Sequence, residues 1–298
     1  MLAAVVTYNG QDHIQDCLSS LDRAATWTFP VYIVDNASTD RTREEIRDRD
    51  DAPELSMYEM PENRGVAAAY NLALLQAERL GVRWVFLLDQ DSRCQPGCLD
   101  TLCRHGEALG QSGDKVGAVC PVAYSRHFPH VIHMPYIWDG GYLRQIEAEE
   151  DRQVVQVDST ITSGTLYNAQ ALRNVGGFRE EYFIDFVDHE CHLRLAKAGW
   201  SMWWIRGAFV EHELGVRQTM TPEGLWIEHE PFRYYYMVRN MLHGIKQQGG
   251  YRGVLSFFNE LRKHIGKMKK YSKAPNTCIL YMLKGMVHAV RGRFGPLQ

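Results

Sequence analysis

Asp89 and Asp91 stand two residues apart in the stretch RWVFLLDQDS, directly behind five apolar residues. A carboxylate at the end of a buried strand is costly unless it is paired, hydrated or bound to a metal. Two chemistries fit the pattern. The acids can cap the next turn, where Asp and Ser are favoured, or they can hold a cation. Asp35 closes a second apolar run, VYIVD, and Thr7-Tyr8-Asn9 closes a third, LAAVVTYN. Three polar clusters closing three apolar runs are harder to ascribe to turn capping alone.

The elements that must position these residues follow from the hydrophobic periodicity. Residues 2–8 read as a buried strand, and 31–35, 55–60 and 83–89 as three further strands. Between them, 13–24, 38–48 and 65–81 carry helical spacing. Strand–helix alternation with short connections implies an α/β fold, a mostly parallel sheet covered on both faces. Ligands in such sheets bind outside the carboxyl ends of the strands, which is where Thr7, Asp35 and Asp89 fall. Residues 116–124 read as another strand, 125–165 as irregular chain with a hairpin, and 157–168 as strand and turn. A helix is expected over 187–198, followed by short strands at 200–205 and 208–212. From about 222 the chain is expected to turn helical, with amphipathic helices over 254–268 and 279–290.

No G-x-G-x-x-G follows the first strand and no G-x-x-x-x-G-K-[ST] occurs anywhere. The usual dinucleotide and P-loop readings lose their main support, so a bound nucleotide needs its phosphates held another way. A metal on Asp89 and Asp91 would serve. The 298 residues, 45% hydrophobic and 23% charged, suit a globular enzyme of one large domain or two small ones. Seven cysteines suit reduced thiols, and Cys94, Cys98 and Cys103 lack a C-x₂-C zinc knuckle. The start MLAAVVTYNG has no signal-peptide pattern, and no apolar run approaches the roughly 20 residues of a membrane span. The expected location is cytoplasmic. Net charge is −3, yet Lys246 to Gln298 holds eleven Lys/Arg and one acid, Glu260. That polarity points the tail toward an anionic surface such as the inner face of the cytoplasmic membrane.

The motifs VVTYNG, VDNASTD, ENRGVAAAYN, LLDQDS, TSGTLYN, GGFREEYFIDFVDHECHLR, VEHELG and RYYYMVRN occur in that order over residues 2–245. Together they resemble inverting glycosyltransferases of family two, which have the GT-A fold and use nucleotide-diphospho-sugars. Within that family the chain is most similar to bacterial rhamnosyltransferases. The resemblance implies a GT-A catalytic domain over 1–221, with a nucleotide-binding half of about 1–115 and an acceptor half of about 116–221. Residues 222–298 would be a helical extension.

The resemblance also implies roles. Thr7, Tyr8 and Asn9 would line the nucleotide pocket. Asp35 would accept the N3–H of uracil or thymine, with Asn36 supporting its loop, and Arg64 would reach the donor. Asp91 and His212 would bind Mg²⁺ or Mn²⁺, and Asp89 would contact the ion or the donor's ribose. Ser163 and Gly164 would form part of the donor-sugar and acceptor wall, and Arg239 would hold the diphosphate or a lid over it. Asp188 would be the catalytic base, with Asp185 and Glu190 as competitors, since the first acid of the family's usual pair is Val187 here. The implied reaction is a single displacement that moves a sugar, expected to be L-rhamnose from dTDP-L-rhamnose, to a polysaccharide or lipid-linked glycan acceptor. A UDP-sugar donor is the alternative within the family. A nucleic-acid-binding module is the alternative outside it, and no nucleic-acid-reading motif supports that class.

Overall fold

The computed structural model describes residues 1–49, 54–147 and 152–297. The first half alternates as the periodicity predicts: β1 (Leu2–Thr7), α1 (Ile14–Leu21), β2 (Val31–Asp35), α2 (Thr42–Arg47), β3 (Leu55–Glu59), α3 (Gly65–Arg79) and β4 (Trp84–Asp89). A short β5 (Ser92–Cys94) and a helix α4 (Cys98–Gln111) lead to β6 (Val116–Tyr124). Next come β7 (Ile132–His133), β8 (Tyr136–Trp138), β9 (Leu143–Gln145), β10 (Val154–Val157) and β11 (Thr165–Asn168). The chain continues through α5 (Ala169–Asn174), α6 (Val187–Lys197), β12 (Ser201–His212), β13 (Arg217–Thr221) and β14 (Gly224–Glu228). Two helices follow, α7 (Pro231–Tyr271) and α8 (Pro275–Arg291).

One ten-stranded sheet organises the molecule, in the order β10-β12-β6-β11-β4-β1-β2-β3 with β5 and β7 at its side. β1 pairs in parallel with β2 and β4, and β11 runs antiparallel between β4 and β6. Successive side chains of a strand face opposite sides. Leu2, Ala4 and Val6 therefore pack with α3 and the later helices, while Ala3 and Val5 pack with α1, α2 and α4. Alanines 67, 68, 69, 73 and 77 let α3 lie close on the sheet. In β4, Val85, Phe86, Leu87 and Leu88 are wholly buried, worth about 1.5–3 kcal/mol for each large side chain. That burial fixes where Asp89 emerges. The register then sets the rim, with Thr7 opposite Asp35 and Val6 opposite Asp89.

Three expectations change. β12 is one strand and not two, because a register shift between Ile205 and Phe209 absorbs the Arg206-Gly207 interruption. The helical run starts at Pro231 and not near residue 222: the alternating RQTMT and GLWIE pair as an antiparallel hairpin across Pro222-Glu223. The helix α4 lies in a stretch that the sequence reading left unassigned. Its apolar face, with Cys98, Leu99 and Leu102, packs against the sheet. Within α7 the axis breaks at Gly250 (φ 55°, ψ −142°), a conformation open to glycine. Among the described residues no helix is long and apolar enough to cross a membrane.

Candidate active site

The acids behind β4 meet the end of β12. One ligand atom each from Asp89, Asp91 and His212 lie within 4.8 Å of one another. β5 brings this about, since it folds back from Asp91 and pairs antiparallel with β12, Ser92 opposite His212. A hydroxyl chain locks the arrangement. His212 Nδ1 is 2.6 Å from Ser92 Oγ, Ser92 Oγ is 2.7 Å from Ser163 Oγ, and the Asp89 amide donates to Ser163 Oγ at 3.0 Å. Tyr70 donates to Asp89 Oδ1 at 2.7 Å. Asp91 Oδ1 lies 3.3 Å from His212 Nδ1 yet is buried without a well-formed hydrogen bond. Burial pushes Asp89 above the usual carboxylate range, and Asp91 adds to this. Burial also acts to raise Asp91, but His212 outweighs it and holds Asp91 low. An orphaned buried carboxylate oxygen beside a second acid and an imidazole suits a hard divalent cation such as Mg²⁺ or Mn²⁺.

The nucleotide rim forms at β1 and β2. Asp35 is fully buried; its Oδ2 accepts from the Ser38 amide at 3.1 Å and from Arg43 Nε at 2.6 Å. Its Oδ1 is buried with no partner, so one lone-pair face is left for a ligand N–H. Tyr8 is 44% exposed and presents its ring at the rim. Thr7 and Asn9 face the protein instead. Thr7 donates to Gln90 Oε1 at 2.6 Å, and Asn9 Oδ1 accepts from the Thr39 amide at 2.9 Å. Asn36 Oδ1 accepts from the Arg64 amide at 2.9 Å, and the Arg64 side chain pairs with Glu180 at 2.8 Å. These residues shape the loops around the pocket.

The structure separates the three candidate bases. Glu190 is buried between Arg179, at 2.5 Å, and Arg194, at 2.7 Å. Asp185 is gripped by both forks of Arg233, at 2.9 and 2.6 Å. Asp188, in the first turn of α6, accepts the His189 amide at 2.8 Å and makes no ion pair among the described residues. Its charge reaches Asp89 and Tyr70 across the site. The profile of Glycosyl transferase family 2 matches residues 3–176, more than half of the chain. The chain belongs to glycosyltransferase family 2.

Relatives of this glycosyltransferase include the dTDP-rhamnosyl transferase RfbF of Shigella flexneri, 27% identical over 240 residues, 80% of this chain and 77% of the relative. Another is the N-acetylglucosaminyl-diphospho-decaprenol L-rhamnosyltransferase of Mycobacterium tuberculosis, 26% identical over 258 residues, 78% and 82% of the two chains. The fold matches S. aureus TarS 1-349 in complex with UDP (TM-score 0.60, 16% identity, 98% of this chain and 81% of that one). It also matches the mannosyltransferase PcManGT of Pyrobaculum calidifontis with GDP-Man and Mn²⁺ (TM-score 0.59, 17% identity, 98% and 87%). The expected GT-A architecture with C-terminal helices is the one observed.

Two residues of the glycosyltransferase serve the protein where a ligand was expected. Arg239 is fully buried and spends its guanidinium on Asn240 Oδ1, Tyr235 Oη and the carbonyls of Gly295, Glu181 and Tyr182. With five N–H groups engaged it has none left for a diphosphate. Gly164 has φ 83°, and a Cβ there would stand 2.8 Å from Val210 and 3.0 Å from Pro121. Its missing side chain lets β11 pack, and Ser163 beside it is buried in the hydroxyl chain.

Three further residues carried no assigned role in the sequence. Gln90 clips β4 to β1 by accepting from Thr7 Oγ1 and the Tyr8 amide and donating to the Tyr8 carbonyl at 3.1 Å. Arg233 faces the acids. Burial acts to lower its pKa, but Asp185, Asp89 and Asp91 raise it overall. Asn240 completes the set: its Nδ2 donates to the carbonyls of Tyr182, Ile184 and Asp185. Together with Arg233 and Arg239 it holds a segment in which Phe183, Asp185 and Phe186 all have positive φ. The helix α7 thus fixes the loop that delivers Asp188.

Proposed function

We propose that this glycosyltransferase moves L-rhamnose from dTDP-L-rhamnose to a hydroxyl of a lipid-linked glycan or cell-surface polysaccharide precursor, by one inverting displacement. The observation that carries the reading is the isolation of Asp188. Among the described residues it is the acid of its segment without a cationic partner, and its charge reaches the Asp89–Asp91–His212 cluster. Two rhamnosyltransferases among the relatives support the sugar, and the diphospho-decaprenol named for one supports a lipid-linked acceptor.

Asp35 Oδ1 accepts the N3–H of the base, which disfavours cytosine because its N3 is an acceptor. Thymine and uracil both satisfy it, so a UDP-sugar is the second reading. Asp89, Asp91 and His212 would hold Mg²⁺ or Mn²⁺, which supplies charge neutralisation for the departing diphosphate. Arg233 adds a fixed positive charge on the same side. Asp188 takes the proton from the acceptor hydroxyl as its oxygen bonds to the anomeric carbon and the bond to the diphosphate breaks. Tyr70 and Ser163 keep Asp89 in place. The basic amphipathic helices suit a peripheral place on the inner membrane face, where a lipid-linked acceptor resides.

Slow hydrolysis of a panel of dTDP- and UDP-sugars, with Mn²⁺ and with chelator, tests the reading. The expected result is metal-dependent turnover of dTDP-L-rhamnose above all others. Preference for a UDP-hexose would move the donor to the second reading. Undiminished turnover in chelator would remove the metal.

A further inference from the structure

A groove of about 790 Å³ lies between the β8–β9 hairpin and the α7–α8 pair, a size typical of small-molecule sites. Its floor includes Met237, Met241, Phe257 and Leu261. Met237, Met241 and Leu261 are only partly buried against the core, so apolar surface stays open to the groove. Methionine chains adapt to irregular apolar ligands. Arg144, Lys263, Lys267 and Glu260 also line the groove, and Arg144 is paired with Asp139. Lys263 pairs with Glu260 at 2.7 Å, whereas Lys267 makes no ion pair among the described residues. Basic and apolar side chains thus line the same groove.

The groove also borders the reacting centre. Tyr136 lines it, and the Tyr136 ring stacks edge-on against His189, the neighbour of Asp188, with centroids 5.1 Å apart. Burial, and then the charge of Asp188, raise the Tyr136 phenol above its ordinary pKa. Beyond the groove, Leu255 and Phe258 of α7 and Leu280 and Leu283 of α8 are exposed. They belong to the basic tail segment and to the same two helices that line the groove.

We infer that this groove seats the polyprenyl diphosphate end of a lipid-linked acceptor, with its first isoprenoid units on the methionine floor and its diphosphate at the lysines. The sugar then lies beyond Tyr136, on the side of Asp188. The inference rests on the lipid-linked acceptor proposed above. An isoprenoid needs the apolar floor, a diphosphate needs the cations, and the groove offers both within reach of Asp188. A nucleic acid would leave the floor without a function.

Farnesyl diphosphate is the probe, titrated by calorimetry into full-length protein saturated with dTDP and Mn²⁺ so that the donor pocket is filled. It is expected to bind at least about tenfold more tightly than inorganic diphosphate or farnesol. Lys263→Glu with Lys267→Glu, and separately Met241→Trp, are each expected to weaken it by about tenfold or more. Should Met241→Trp fail to fold, the exposed lysine pair still decides. Unchanged affinity in the variants overturns the inference. So does equal binding of inorganic diphosphate, or of a short oligonucleotide that competes with farnesyl diphosphate. Loss of binding to phosphatidylglycerol vesicles with farnesyl diphosphate affinity intact also overturns it, because the lysines would then serve only a bilayer surface. Hydrolysis of dTDP-rhamnose by the unaltered protein is measured alongside. Its absence sinks the donor assignment and leaves the groove result standing.

Discussion

Replacing Asn240 with alanine tests whether α7 controls catalysis through the loop before α6. Asn240 Nδ2 lies 3.0, 2.8 and 2.8 Å from the carbonyl oxygens of Tyr182, Ile184 and Asp185. Its pair of N–H groups is worth about 2–3 kcal/mol net, at about 1–1.5 kcal/mol each. The loop it restrains holds Phe183, Asp185 and Phe186 at φ 67°, 64° and 60°. Such conformations cost about 1–3 kcal/mol apiece in non-glycine residues, so the stored strain of about 3–9 kcal/mol matches or exceeds what the amide supplies. Asn240→Ala therefore lets the loop relax and Asp188 drift. If the whole loss falls on placing Asp188, kcat drops by about 30- to 160-fold. The assay is turnover at saturating donor and acceptor, with dTDP affinity measured separately by calorimetry. That affinity should change by less than about threefold, because Asp35 and its loop do not touch Asn240. A folded variant with normal kcat, or one whose dTDP affinity falls as far as its kcat, refutes the reasoning.

Asp188→Asn should lower transfer by about 10²- to 10⁴-fold while dTDP affinity holds; substantial turnover would return the base role to another acid. Arg239→Lys gives up most of a buried guanidinium's donors and should cost about 2–4 kcal/mol in urea unfolding. Full stability with lost activity would instead restore Arg239 to the diphosphate. Burial pushes His229 down from 6.5 to about 4. The folded chain keeps this imidazole neutral where the unfolded chain binds a proton. Its contribution is therefore complete above pH 6.5 and shrinks as pH falls toward 4, by up to about 3 kcal/mol. His229→Gln should flatten the acid limb of the stability curve, and an unchanged limb would count against this assignment.

The alternating first half was legible because β1, β2 and β4 are continuous apolar runs ended by a polar rim, and the register follows from parallel pairing. The rim positions of Asp35, Asp89 and His212 were legible for the same reason, since they end strands, and Asp91 follows in the turn after β4. What the sequence hid lies in contacts across long separations. Nothing local tells that Arg239 and Asn240 spend their donors on carbonyls of residues 181–185. Nor does TSGTLYN show that Gly164 answers to Val210 and Pro121 in neighbouring strands. Other features carried signals that went unread. Pro222-Glu223-Gly224 between two alternating runs is a hairpin turn. The spacing of Cys98, Leu99 and Leu102 is that of a helix face. Arg233, three residues into the helix, stands one turn and a half before Arg239, and only the fold tells which of the two faces the acids.

The loop that carries Asp188 is also tied to the far end of the chain: Gly295 donates to the Glu181 carbonyl at 2.8 Å and accepts from Arg239 at 2.7 Å. During synthesis on a ribosome, β1 to β4 emerge well before that tie can form. The parallel half of the sheet can therefore assemble first, and the loop before α6 gains this restraint only once residues more than a hundred positions further on have docked.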